Sequence, residues 1–464
     1  MNYDLLFHNE NKPVELAVIG VSGFNHSLFH YGSRSRKTSI RIVCGRNIQK
    51  CRDAYLSVGV PDDMMTHCTT YEEGIKAFRE GRYLIFNDVS IAMQMPFDVV
   101  VEGTGNPEAS AVHVLSAIEN KKHIVMVTKE SDSVAGSMLA KKARENGVIY
   151  SLAEGDQPSL LIGLVSWART AGLKILSIGK SSEYDFIYDE KKSTVTVLDQ
   201  TIELKDFADL WHLGDDSVKT LHTRGDLLSI FSQRNIPDYA EMGIVCNHLP
   251  GFCPDIPRFH APVARTLEIP DIMCPREYGG IFENGSSIDV VNCLRRSDEQ
   301  SLEGGVWVVV ACDDEETWQV LRDKGVPLSR NEKTALIYYP AHYLGFEALF
   351  SVLSVGVLGL PTGSSEPVPR YDLVARAEKA VKKGTRFTAR GHHHIIEGLE
   401  GLLMPAEPID HGRQLPYFLA DSTILKKDVE PGTLITRDML EWSEDAVLWK
   451  LRREQDREFF PSRS

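Results

Sequence analysis

Phe97-Asp-Val-Val-Val-Glu-Gly-Thr-Gly-Asn-Pro107 carries an apolar strand into a turn with two glycines, and Val14-Glu-Leu-Ala-Val-Ile-Gly-Val-Ser-Gly23 does the same earlier in the chain. In an open parallel sheet such turns lie at the carboxyl ends of the strands, where dinucleotides bind. The sequence around them alternates. Residues 14–19, 40–44, 98–102, 121–127 and 148–150 read as strands, and 47–56, 72–80, 107–120 and 133–146 as helices. Strand and helix in alternation imply β-α-β crossovers and a Rossmann-type, doubly wound parallel sheet, an α/β dinucleotide-binding domain over residues 1–155.

Past Gly155 the rhythm changes. Residues 158–170 read as an amphipathic helix, 173–178 as a strand ending at Gly179-Lys180, and 183–240 as polar and irregular. Pro, Gly and Cys gather between Pro250 and Pro275, as in a long structured excursion. Residues 305–311 and 334–339 supply strands of a second sheet, and 346–358 an apolar helix. The expectation is a second, α+β domain over 156–365 for substrate, catalysis and dimerisation. Leu360-Pro-Thr-Gly-Ser-Ser-Glu-Pro-Val-Pro369 is a linker by composition. Beyond it, Lys379-Ala-Val-Lys-Lys-Gly-Thr-Arg-Phe-Thr388 and Lys427-Asp-Val-Glu-Pro-Gly-Thr-Leu-Ile-Thr436 share one skeleton, K-x-V-x-x-G-T-x-[FI]-T. Two strand–turn–strand copies suggest a small β-rich domain with a C-terminal tail over 366–464, not a solenoid.

A formal net charge of -14 argues against a nucleic-acid surface, which needs clustered cations. No apolar run approaches the roughly 20 residues that span a bilayer. The start, Met1-Asn-Tyr-Asp-Leu-Leu-Phe-His8, lacks the basic and apolar segments of a secretion signal. These features predict a cytoplasmic protein that binds a small molecule, not nucleic acid or membrane. The cysteines form no Cys-x-x-Cys pair and read as buried hydrophobes, not zinc ligands or a disulfide framework. A homodimer or higher homo-oligomer is the default assembly.

In Gly20-Val-Ser22-Gly23-Phe24-Asn25 the tight-turn glycine is present, but Ser22 crowds the approach of a pyrophosphate and Asn25 keeps helix and strand from packing closely. Gly23 partly compensates. The second turn, with Gly103, Thr104 and Gly105, would line the other side of the crevice. Where NAD enzymes place a carboxylate after the second strand, this chain has Cys44-Gly-Arg46. Arg46 is placed to meet a 2′-phosphate, which favours NADP over NAD; the other reading is a solvated arginine at a helix start.

Asp98-Val-Val-Val-Glu-Gly-Thr-Gly-Asn-Pro107, Lys122-His-Ile-Val-Met-Val127 and Gly147-Val-Ile-Tyr-Ser-Leu-Ala-Glu-Gly-Asp-Gln-Pro158 resemble the homoserine-dehydrogenase-like oxidoreductases that carry a C-terminal SAF domain. The resemblance continues through Ile178-Gly-Lys180, Cys274-Pro-Arg-Glu-Tyr-Gly-Gly280, Tyr338-Tyr-Pro-Ala-His342 and Ser354-Val-Gly-Val-Leu-Gly-Leu-Pro-Thr-Gly363. It implies an NAD(P)-dependent dehydrogenase or a reductoisomerase, the latter as in a second type of 1-deoxy-xylulose-5-phosphate reductoisomerase, and a small polar, anionic substrate. It also implies that the tail repeat is SAF-like. The chain departs from that pattern: a lysine expected before Glu241-Met242 is missing, and Tyr339 and Ala341 stand where relatives have Arg and Tyr. Lost cations and an altered glycine turn motivate the alternative of a non-redox binding or regulatory protein, or a redox-neutral isomerase or lyase, on the same scaffold.

The candidate chemistry follows. Lys129, past a strand that ends at the crevice, could polarise a carbonyl as hydride arrives, or could be a surface lysine opening a helix. Lys180, after Gly179, could bind substrate as a point charge. Asp156 could exchange a proton, orient Lys180 or cap the helix at Pro158. His342 could donate to substrate or exchange a proton near neutral pH, or be a satisfied core histidine. Arg276 could clamp a carboxylate or pair with a neighbour. Glu241 and Tyr338 complete the expected substrate contacts. His392-His-His394 cannot all face one ion from regular structure, so no metal is expected.

Overall fold

The computed structural model describes residues 2–8, 12–21, 23–312, 314–391 and 394–461. Strands β1 (Val14–Ile19), β2 (Thr38–Cys44), β3 (Met65–His67), β4 (Tyr83–Phe86), β5 (Val99–Glu102), β6 (His123–Met126) and β7 (Tyr150–Leu152) form one parallel sheet in the order β3-β4-β2-β1-β5-β6-β7. Both faces are covered: Leu16, Val18, Val99 and Val101 enter one core, while Ala17, Ile19 and Val100 enter the other. That double burial explains the unbroken apolar runs in the sequence. Strand order reverses between β1 and β5, which places the Gly20 and Gly103 turns side by side at the switch point.

Two strands of this sheet, β3 and β4, have little sequence signature: Met-Thr-His is too short to show a period, and Tyr-Leu-Ile-Phe is a brief apolar run. The helix expected from Ser133 starts at Lys129 and runs to Glu145, with a break at Ala135 (φ -141°, ψ 18°). There the Asp132 side chain lies over Gly136, where a Cβ would fall 1.6 Å from its Oδ1.

The second sheet runs through β8 (Lys174–Ser181), β9 (Phe186–Asp189), β10 (Thr194–Val197), β11 (Gln200–Glu203), β12 (Cys253–Pro254), β13 (Val263–Ala264), β14 (Ser287–Arg295), β15 (Val306–Ala311) and β16 (Ala335–Tyr339). Its main path is β11-β10-β9-β14-β8-β15-β16, with β12 and β13 added beside β14. Residues 183–240 are therefore not irregular. They form the antiparallel β9-β10-β11 meander, then helices Ser217–Leu227 and Ile236–His248. In the meander β9 and β10 alternate partly exposed and buried residues and β11 is mostly exposed, so it reads as polar. The second helix is buried on every side, so it lacks an amphipathic stripe, and it carries Asp238 and Glu241 inside.

The apolar segment expected as one helix over 346–358 is Ala348–Leu353 followed by a wider turn, Ser354–Leu358. Ala348, Val352, Leu353 and Val355 return to the core of the first sheet. In the last part of the chain, Tyr371–Ala377 pairs antiparallel with Leu399–Pro405. The two repeats pair with each other at equivalent positions: Val381 N donates to Val429 O and Val429 N to Val381 O, both at 3.0 Å. Their glycines, Gly384 and Gly432, share a left-handed turn (φ +86° and +83°).

The expected tail is a structural element. Helix Val447–Phe459 packs on helices Pro107–Glu119 and Lys129–Glu145. Its buried Arg452 donates to Asp372 (2.5 and 2.7 Å) and Asp456 (2.8 Å), and Gln455 Nε2 donates to Val134 O (3.1 Å). Among the described residues no helix is long and apolar enough to cross a membrane. Replacing Arg452 strands the Asp372 and Asp456 carboxylates in the interior, so Arg452→Met should lower the free energy of unfolding by about 3–5 kcal/mol in urea titration. An unchanged midpoint would contradict this role.

Candidate active site

Helix Ile236–His248 sits where the parts of the chain meet: it packs on helices Lys129–Glu145 and Gln157–Thr170 and on strand Tyr371–Ala377. Asp238 and Glu241, three residues apart, share its inner face. Glu241 is fully buried and held from both sides, Oε1 accepting from Lys129 Nζ and Oε2 from Lys180 Nζ. Lys180 also lies 2.8 Å from Asp238, and Lys129 lies 3.5 Å from Asp156. Asp156 does cap the helix start, accepting from Gln157 N at 3.1 Å, while facing Lys129. Strand alternation aims Lys180 inward: Ile178 and Lys180 share a face, and Gly179 takes the other. A Cβ at Gly179 would strike the Asp289 carbonyl oxygen (2.0 Å) and the Trp307 ring (2.4 Å).

His342 joins this group from the segment after β16. A Cβ added at Gly304 would fall 2.2 Å from His342 Nδ1 and 3.2 Å from Gln157 Nε2, so imidazole and amide converge over that glycine. His342 Nδ1 and Gln157 Oε1 are buried and accept no hydrogen bond from the described residues. Buried polar atoms are costly to leave unpaired, so these two acceptors call for a partner such as water or a ligand.

Charge orders the cluster. Burial alone would lower Lys129 and Lys180, but their carboxylate neighbours outweigh it and hold both ammonium groups charged. Burial would raise Glu241, yet the two lysines pull it down to about 2. Burial, against the pull of Lys129, pushes Asp156 up to about 6. Burial and the Lys180 charge push His342 down to about 4. His342 is therefore a neutral hydrogen-bonding group at pH 7, and the proton exchange near neutrality expected of it from sequence is not open to it; burial also pushes Asp132, beside Asp156 and Lys129, up to about 7.

At the switch point, Gly20 (φ +84°) abuts the second turn so closely that a Cβ would lie 2.8 Å from Gly103 O. Asn25 turns inward: it is buried, and its Nδ2 donates to the carbonyl oxygens of Ile19 (3.1 Å) and Gly20 (2.9 Å). It thus fills the space beneath the turn, where a Cβ at Gly103 would fall 2.5 Å from its Nδ2. Ser22 lies outside the described residues. Gly23 (φ +56°) opens helix Phe24–Gly32 without a side-chain cap among the described residues, and its carbonyl accepts from His26 N (3.1 Å), which leaves the N–H groups of Phe24 and Asn25 at the helix end that favours an anion. Phe24 lies under the returning segment at Gly345, whose Cβ would meet Phe24 O at 2.2 Å. Opposite, Thr104 Oγ1 donates to Glu102 Oε1 (2.6 Å) and Gly105 N to Thr128 Oγ1 (3.0 Å), which fixes the second turn. Arg46 is exposed at the end of β2 and has no ion-pair partner among the described residues. Open space over Gly23, a helix start without a side-chain cap among the described residues and an exposed guanidinium fit a dinucleotide.

Not every expected residue joins. Tyr338 pairs across from Trp307 and packs on the opposite face of the second sheet from Lys180. Arg276 is ion-paired to Glu283 (2.6 Å) and lines a separate open groove with Arg234 and Arg258. Sequence reading missed Asp238 and Gln157. The first had a usable signal, its spacing of three from Glu241 on one helix; the second had none beyond its place after Asp156. Of the three histidines, His392 and His393 lie outside the described residues. All eight cysteines are free thiols.

Residues 36–153 match the family model for the homoserine dehydrogenase NAD binding domain, and residues 155–348 match that for the oxidoreductase DRL catalytic domain. No curated protein matches the chain. Among solved structures, the chain is similar to a probable dehydrogenase from Thermotoga maritima (10% identity, 76% of this chain and 92% of that one, TM-score 0.38). It is also similar to an NAD binding oxidoreductase from Klebsiella pneumoniae (11%, 39% and 47%, TM-score 0.27) and to scyllo-inositol dehydrogenase from Lactobacillus casei (11%, 39% and 48%, TM-score 0.26). The last two alignments span about half the length of those relatives, and at such TM-scores these likenesses carry no argument. The two family models meet at the junction of the two sheets: the chain carries a homoserine-dehydrogenase-type NAD-binding domain followed by an oxidoreductase DRL catalytic domain, the make-up of an NAD(P)-dependent oxidoreductase.

Proposed function

We propose that the protein moves hydride between NADP and a carbonyl or hydroxyl carbon of a small polar metabolite. One observation carries the reading: Lys129 stands at the carboxyl end of the strand beside the two glycine turns, held charged by Glu241 and Asp156. A bound nicotinamide would supply or accept the hydride. Gly20, Gly23 and the uncapped amides would hold the diphosphate, and Arg46 the 2′-phosphate that distinguishes NADP.

The residues then divide the work. Lys129 Nζ faces the substrate oxygen, stabilises charge that develops on it and gives it a proton. Asp156, 3.5 Å away, returns a proton to Lys129. Lys180 fixes Glu241, and His342 with Gln157 orients the substrate through neutral hydrogen bonds. Because both lysines are already neutralised by carboxylates, no free cation is left for a carboxylate or phosphate. The substrate class we infer is therefore a hydroxy or oxo compound recognised by its oxygens, which weakens the anionic expectation. A dehydrogenase uses these residues as they stand, whereas a reductoisomerase would need a further group to carry the rearrangement. Eight free thiols support a cytoplasmic setting, and the paired repeats support an SAF-like last domain.

Two outcomes test this reading. Titration with NADPH, followed by nicotinamide fluorescence, should saturate, and Arg46→Ala should weaken NADPH about tenfold while leaving NADH unchanged. Absence of binding at millimolar NADPH would refute it. With a substrate drawn from a panel of small polar ketones and aldehydes, reduction should slow as pH rises through about 6, where Asp156 loses its proton. Oxidation of the product should slow as pH falls through the same value. Both inflections should vanish in Asp156→Asn; a profile unchanged by that substitution would remove Asp156 from the proton path.

A further inference from the structure

The last domain reaches into the crevice through one histidine. His394 (φ +50°) precedes the short strand Ile395–Ile396, and its Nδ1 lies 2.5 Å from Oε1 of Glu130, the residue after Lys129. The adjacent Cε1–Nε2 edge of the ring faces the second glycine turn: a Cβ added at Gly105 would sit 3.4 Å from His394 Cε1 and 3.6 Å from its Nε2. Phe418 packs edge-on against the ring, with centroids 6.4 Å apart. The attachment has a second anchor. Glu108, in the helix that follows the turn, accepts the main-chain N–H groups of Val447 (2.6 Å) and Leu448 (3.0 Å). The turn that would line the dinucleotide is thus held between the first and last parts of the chain.

We propose that His394 is a cofactor-positioning residue supplied by the C-terminal domain: Glu130 orients its ring through Nδ1, and Nε2–H donates to a phosphate or ribose oxygen of the dinucleotide at Gly105. This inference rests on the dinucleotide reading above. It also gives the last domain a task, since its removal would leave the second turn open on one side.

The charged groups facing the ring are Glu130 and Lys129 from helix Lys129–Glu145 and Asp421 from the loop after Tyr417–Ala420. The Glu130 hydrogen bond, helped by Asp421, outweighs burial and Lys129 and raises His394 above the ordinary histidine value. The imidazolium therefore persists to higher pH than usual. As pH rises through the raised value one proton leaves. Glu130 retains the Nδ1–H, so Nε2 becomes an acceptor and turns from attracting a nucleotide oxygen to repelling it. Affinity contributed by His394 is present at low pH and lost at high pH.

The test is NADPH titration of the full chain as wild type, His394→Gln and Glu130→Gln, each checked for folding by circular dichroism. At pH 6.5 the His394→Gln protein should bind about tenfold more weakly than wild type, and the ratio should close to near one at pH 9. Glu130→Gln should shift that pH dependence to lower pH. Equal affinities of wild type and His394→Gln at pH 6.5 would overturn this inference alone. Failure of wild type to bind NADPH would overturn the dinucleotide reading and this inference with it. Should His394→Gln not fold, Glu130→Gln decides: a pH dependence unmoved from wild type overturns the proposal.

Discussion

One buried carboxylate, Glu241, ties the molecule together. It neutralises Lys129 from the first sheet and Lys180 from the second, and it does so from a helix that also packs on the last domain. Two ammonium groups cannot be brought this close in the interior without such a counter-charge, because each alone would shed its proton or force the packing apart. The relative placement of the two sheets is therefore fixed at the proposed site. On that proposal, charge balance also limits what the site would hold: the lysines would act on oxygen atoms that develop charge, their own charge being already matched by carboxylates.

Preparation for a dinucleotide comes from backbone more than from side chains. The close approach of Gly20 to Gly103 and the helix start after Gly23 are main-chain features, while the side chains of Glu102, Thr104 and Thr128 fix the second turn. Asn25 shows how an altered glycine pattern is accommodated. Its amide takes up the carbonyl oxygens of Ile19 and Gly20 from below and occupies space that the usual glycine would give to close helix packing. Asn25 thus forms the floor of the turn.

Much of the first sheet was legible because its strands are apolar on both faces and end in glycine turns. Lys129, Asp156, Lys180 and Glu241 could be named as candidates, yet only the folded chain shows them to be one group, since residues from 129 to 241 meet across two sheets. The meander and helices between 183 and 240 were missed for opposite reasons. One is half-exposed and looks polar; the other is wholly buried and shows no stripe. Arg276 and Tyr338 misled because a motif names residues without saying which face of the sheet they take: Tyr338 shares the face of Trp307, and Lys180 takes the other. The link from His394 to Glu130 joins positions so distant in sequence that no local pattern announces it.

A nicotinamide dinucleotide seated across the Gly20 and Gly103 turns beside Lys129 would shield the backbone there. Hydrogen–deuterium exchange with NADPH added should therefore be slower in peptides covering residues 19–25, 102–106 and 127–130. Protection confined to the groove at Arg234, Arg258 and Arg276, or no protection at saturating NADPH, would contradict it.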